Sequence, residues 1–176
     1  MTVQALRQGR PEVLADLLAR YGRDMQAVAY LIVRDRAAAE DIVADSLLAA
    51  LDHGRNLRDD DALRAWLLRI ATNKALRHRQ RAARIVELEV VEGIAAETRG
   101  PAADESMALW QAVRTLPPRM RAAVGLRYYL DLPVEQVAEV LEVSPNTIKT
   151  QLKSALAHLR TALADEPMPV GEVRHA

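Results

Sequence analysis

Toward the end of the chain, Asn146, Thr147, Lys149, Thr150 and Lys153 fall on one side of a helical wheel, and Ile148, Leu152, Ala155 and Leu159 on the other. The polar set carries the groups that read and hold DNA. An Asn amide pairs bidentately with adenine, a Thr contacts a thymine methyl or a phosphate, and Lys neutralises phosphate or reaches guanine. Ser144 and Pro145 suit the N-cap and first position of this helix, whose free amides also favour a phosphate. A shorter apolar-periodic segment, Val134 to Leu141, precedes it after Pro133, with the turn Glu142-Val143-Ser144 between them. These are the dimensions of a helix-turn-helix, whose second helix enters the major groove by its N-terminal residues. A helical hairpin with one polar face also occurs in proteins that never touch DNA, and this segment alone admits both readings.

No other residues are arranged for catalysis. His53, His78, His158 and His175 lie far apart, there is no cysteine, and neither a Gly-rich phosphate loop nor an HExxH spacing occurs. The expectation is a protein that is not an enzyme and has no cofactor or metal. The 176 residues are 50% hydrophobic but only 3% aromatic, with no Phe, so the core must be built from Ala, Leu, Val and Ile. That composition predicts an all-α fold. The absence of cysteine and of any apolar run long enough to span a membrane points to the reducing cytoplasm.

Lys plus Arg equals Asp plus Glu at 24 each, which on its face argues against a nucleic-acid partner. The charge is segregated, however. Between Asp61 and Glu87 stand Arg64, Arg69, Lys74, Arg77, Arg79, Arg81 and Arg84 with no acidic residue among them. From Ile85 to Leu109 the balance reverses, with six acidic residues against Arg99 alone. A second acidic run, Asp131 to Glu142, precedes a final stretch whose fixed charges are Lys149, Lys153 and Arg160. Separated patches can bind a polyanion locally while the net charge is zero.

The elements that must position these residues follow from apolar periodicity. Val13, Leu14, Leu17, Leu18 and Tyr21 begin a helix that Gly22 interrupts or bends and that Met25 to Val33 continues. Ala38, Ile42, Leu47, Leu48 and Leu51 line a second helix, ending near Gly54 in a left-handed cap. A loop to Asp61 leads into a third, with Leu63, Trp66, Leu67, Ile70 and Ala71 inward, the basic block starting in it and running past its end. Residues 1–82 then form one bundle, 83–106 an acidic flexible linker, 107–165 a second bundle, and 166–176 a short tail. In the second bundle Met107, Trp110, Val113 and Leu116 make one stripe, and Pro118 opens the helix that follows.

The chain resembles the extracytoplasmic-function (ECF) sigma factors of the sigma-70 family. AAAEDIVADSLLAAL (Ala37 to Leu51) and AWLLRIATNKALRHRQR (Ala65 to Arg81) match the pattern of their region 2. LPPRMRAAVGLRYYLDLPVEQVAEVLEVSPNTIKTQLKSALAHLR (Leu116 to Arg160) matches region 4. The resemblance implies a dissociable specificity subunit of bacterial core RNA polymerase. It assigns Glu40, Asp41 and Asp45 to polymerase binding. It assigns Asn56, Arg58, Trp66, Asn73, Lys74, Arg77, His78 and Arg81 to reading and melting the −10 element. It assigns Ser144, Pro145, Asn146, Thr147, Lys149, Thr150 and Lys153 to the −35 element. Promoter DNA and an anti-sigma factor are the further partners it implies. The other reading is a helix-turn-helix regulator that acts without replacing the sigma subunit.

Some positions depart from the family pattern. Glu142 occupies a turn position where Gly is frequent, Ala44 one where Gln is usual, and Arg77 one where Asp is common. Arg77 alters charge where strand contacts are expected. Trp66 is the one aromatic in the expected melting helix, and its place in the apolar stripe favours core packing over base stacking. Few extruded bases and strict promoter choice are the consequence anticipated.

Overall fold

The computed structural model describes residues 2–8, 10–54, 62–88 and 104–164. The order is α1 (Thr2–Arg7), α2 (Val13–Val33), α3 (Arg36–His53), α4 (Leu63–Leu88), α5 (Asp104–Thr115), α6 (Pro118–Val124), a π-helical turn (Gly125–Tyr129), α7 (Val134–Leu141) and α8 (Pro145–Ala164). The fold is all-α among the described residues. Asn56, Arg58 and the expected linker core and tail lie outside them.

Helix α2 runs unbroken through Gly22. Its end is set by Arg34, left-handed at φ 64°, whose N–H bonds to Tyr30 O. Asp35 caps α3 by accepting from the Ala38 amide at 2.9 Å. At the far end of α3, Gly54 is right-handed rather than left-handed, at φ −68°. Its glycine is required by close approach: a Cβ there would lie 2.4 Å from Leu6 Cγ of α1. Helix α4 extends to Leu88, so the basic block sits wholly inside one helix instead of running past its end.

In the second half Pro118 occupies the first turn of α6. The helix then widens, with Leu130 N–H donating to Gly125 O across five residues at 3.0 Å. The turn from α7 to α8 bends at Glu142, left-handed at φ 55°.

The two helical groups expected as separate bundles share a core in this structure. Leu17, Met25, Leu67 and Leu68 from the first belong to the same apolar cluster as Leu126, Leu132, Val137 and Ile148 from the second. Leu31 of α2 packs in the smaller cluster formed by Ala112, Val113, Leu116, Ala155 and Leu159. Burying a Leu side chain in this way contributes about 1.5–3 kcal/mol. Gly125 permits the contact, since a Cβ there would stand 2.4 Å from Leu31 Cδ1.

Candidate nucleic-acid and protein interface

Helix α8 begins on Ser144, whose Oγ accepts from the Thr147 amide at 3.1 Å and lies 2.8 Å from Thr147 Oγ1. Ile148, Leu152, Ala155 and Leu159 are buried, as the helical period demands. Ser144, Pro145, Asn146, Lys149, Thr150 and Lys153 are exposed, and Thr147 is half-buried. The two threonines are already bonded locally, Thr147 at the cap and Thr150 Oγ1 to Asn146 O at 3.0 Å. In the first turns of this helix, Asn146, Lys149 and Lys153 are therefore the polar side chains held toward solvent. The helix carries Lys149, Lys153 and Arg160, all exposed, and no carboxylate from Pro145 to Ala164, so it suits a polyanion.

The basic block on α4 is less uniform than its sequence implies. Arg77, His78, Arg81 and Arg84 are exposed, whereas Asn73 and Lys74 are half-buried. Arg64 turns inward: its Nε and Nη2 donate to Asp24 Oδ2 at 2.9 and 2.8 Å, and Nη2 also reaches Leu130 O at 3.2 Å. It is a clasp between the two halves, and its neighbours explain why periodicity alone could not reveal it. Arg79 is half-buried, with its Nε unpartnered. Asn73 Nδ2 donates to Glu142 Oε2 at 3.1 Å, so α4 and the turn of the helix-turn-helix touch. Trp66 is half-buried against the shared core.

On α3, Asp41 and Asp45 are exposed and one turn apart. Glu40 is exposed too, but its Oε1 accepts from Arg36 Nε at 3.0 Å and Gln26 Nε2 at 3.3 Å. Beside these carboxylates lies an apolar groove of about 470 Å³ between α2 and α3, lined by Leu14, Leu18, Val43, Leu47 and Leu48, with Glu40 at its edge. Leu18 is 52% and Leu48 55% exposed, although both belong to the apolar stripes read from the sequence. Met107 and Trp110, assigned to the inner stripe of α5, are likewise exposed, at 38% and 40%. Helix α5 instead buries Ala112, Val113 and Leu116. An apolar patch rimmed by charge has the character of a protein-binding surface.

One buried cation escaped the sequence reading. Arg121 of α6 is 2% exposed, and burial, followed by the charges of Arg34, Arg79 and Arg114, lowers its pKa to about 10. Arg34 is lowered as well, first by burial and then by Arg114 and Arg79. No spacing rule marks such a convergence, because each Arg comes from a different helix. Among the described residues no group of His, Asp or Glu could hold a metal ion.

Residues 17–85 match the family model for sigma-70 region 2, and residues 106–159 that for sigma-70 region 4. The chain is 26% identical to the RNA polymerase sigma factor SigV of Bacillus subtilis over 164 residues, covering 92% of this chain and 98% of that one. It is 30% identical to the ECF RNA polymerase sigma factor SigL of Mycobacterium tuberculosis over 137 residues, 74% of this chain and 77% of that one. Among solved structures it is similar to the sigma factor RpoE from Bartonella quintana, crystallised with the anti-sigma factor NepR. The TM-score is 0.70 at 22% identity, with 87% and 97% of the two chains covered. It is also similar to CnrH in complex with the cytosolic domain of CnrY, at a TM-score of 0.69 and 23% identity, with 94% and 97% covered.

Proposed function

The chain belongs to the extracytoplasmic-function sigma factors of the sigma-70 family, and from that premise we propose how its surfaces divide the work of promoter-specific transcription initiation. As an RNA polymerase sigma factor of this type it binds core polymerase and directs it to promoters by their −35 and −10 elements. Helix α8 is the −35 reader. Asn146 faces a base edge, Lys149 and Lys153 hold phosphates or reach guanine, and the Ser144 cap fixes the helix start. The observation that carries this is the capped, exposed start of α8 set against the buried Ile148 and Leu152.

The −10 element falls to α4 and the residues that precede it in sequence, through Asn56, Arg58, Asn73, Lys74, Arg77, His78 and Arg81. Arg77 and Arg81 lie one turn apart and exposed, which suits successive phosphates of one strand. Trp66 contributes packing and not stacking. Asp41 and Asp45 meet a basic surface of the polymerase, with Glu40 at the edge of that contact and the Leu18–Leu48 groove supplying its apolar part. The same surfaces are available to an anti-sigma factor, the class of partner with which the similar RpoE from Bartonella quintana was crystallised. The chain supplies specificity and no catalytic chemistry of its own. It works in the cytoplasm, where polymerase is; no described helix is long and apolar enough to cross a membrane. Residues 1–82 and 107–165 act as the two working units, joined through 83–106.

The direct check is size-exclusion chromatography of the purified chain with bacterial core polymerase. Stoichiometric co-elution is expected, and a chain that elutes free of core contradicts the reading in favour of an independent DNA-binding regulator.

A further inference from the structure

Four arginines from different parts of the chain converge where the two helical groups meet. They are Arg34 at the end of α2, Arg79 on α4, Arg114 on α5 and Arg121 on α6. Arg121 Nε and Nη1, Arg34 Nε and Arg79 Nε are all buried without a hydrogen-bond partner. Among the described residues none of the four forms an ion pair with a carboxylate, whereas the half-buried Arg64 has Asp24. Each lies within electrostatic reach of Arg121, whose guanidinium is disfavoured by burial and then by the other three. Buried like charges without a counter-ion oppose folding, and a buried polar donor left unpaired does so as well.

We propose that this cluster is a binding site for a small phosphate-class oxyanion held between the two helical groups. Guanidinium groups present planar pairs of donors that match phosphate oxygens bidentately. A tetrahedral dianion offers acceptors in several directions and enough charge to offset several cations. A single carboxylate offers one plane and one charge. The enclosure of Arg121 favours a compact ion over a phosphodiester chain. Because the anion touches both halves, it binds their docked arrangement in preference to an opened one and stabilises it by mass action.

The test uses the full chain in buffer free of phosphate and sulfate. Inorganic phosphate or pyrophosphate is titrated at low millimolar levels against sodium chloride of matched ionic strength, with calorimetry and thermal unfolding as readouts. At a hundredfold excess over Kd, Tm is expected to rise by roughly 5–10 °C. Arg114→Gln and Arg34→Gln each remove one of the repelling charges. Both are expected to keep or raise the anion-free Tm while weakening phosphate binding at least about tenfold. The proposal is overturned if phosphate does no more than chloride, or if either variant binds phosphate as tightly as the parent chain does. It is also overturned if neutralising Glu89, Glu92 and Glu97 lowers Tm while phosphate adds nothing, since the chain's own carboxylates would then supply the charge.

Discussion

Asn73 and Glu142 are joined side chain to side chain, Nδ2 to Oε2 at 3.1 Å, although 69 positions separate them in the chain. One is a proposed −10 reader and the other is the hinge of the helix-turn-helix. With the Arg64 clasp and the shared core, the contact holds the molecule closed. A globular chain of 176 residues has a diameter of roughly 40 Å, from its expected radius of gyration. The −35 and −10 elements lie roughly 25 base pairs apart, about 85 Å of duplex. With the −10 and −35 readers placed on α4 and α8 as proposed, the closed molecule cannot reach both, and the two halves are expected to part on the promoter.

Glu142 itself stores strain. A non-glycine residue in the left-handed region costs about 1–2 kcal/mol. Glu142→Gly and Glu142→Ala both delete the bond to Asn73, but only glycine relieves the backbone. The Gly variant is expected to melt roughly 2–8 °C above the Ala variant, and equal Tm values would contradict strain at this turn.

Arg64 ties α4 to Asp24 and to Leu130 O. Arg64→Ala is expected to cost about 1–2 kcal/mol by urea denaturation, the range for a partly exposed pair with a lost carbonyl bond. Small-angle scattering is expected to give a larger radius of gyration for the variant than for the parent. An unchanged radius would mean that the core alone maintains closure.

Charge reversal at Asp41 and Asp45 together, each to Lys, is expected to weaken core polymerase binding at least about tenfold while leaving duplex −35 binding intact. Leu18→Ser with Leu48→Ser tests the groove separately. Because both leucines are more than half exposed, the fold is expected to survive and the affinity for core to fall.

At the −35 element, Asn146→Ala is expected to cost about 1–3 kcal/mol against the preferred base and to relax specificity at that position. Lys149→Ala is expected to weaken all sequences alike and to reduce the slope of log K against log salt by about one. Fluorescence anisotropy over a salt series distinguishes the two.

Much of this was legible in residue spacing. The α8 stripe, its Ser144 cap and Pro145 start are local features, fixed by helical period and capping chemistry, and the structure reproduces them. The π-helical turn and the exposure of Leu18, Leu48 and Trp110 were not legible, because an amphipathic stripe says which residues are apolar and not how much of it a neighbour covers. The inward turn of Arg64 and the burial of Arg121 belong to packing between halves. Each depends on residues more than 30 positions away, and no periodicity encodes them. Zero net charge was the most misleading average: it sums an α8 face free of carboxylates, an α4 whose cations are divided between solvent and interior, and an α3 that presents acid.

The most direct measurement is run-off transcription with purified core polymerase, this chain and promoter fragments selected by it from a random library. Transcripts that start at one fixed distance from a selected pair of elements, and that disappear with the Asp41 and Asp45 reversal, are the result expected. Selected DNA that this chain binds equally well while core polymerase produces no chain-dependent transcript would contradict its role as a sigma subunit.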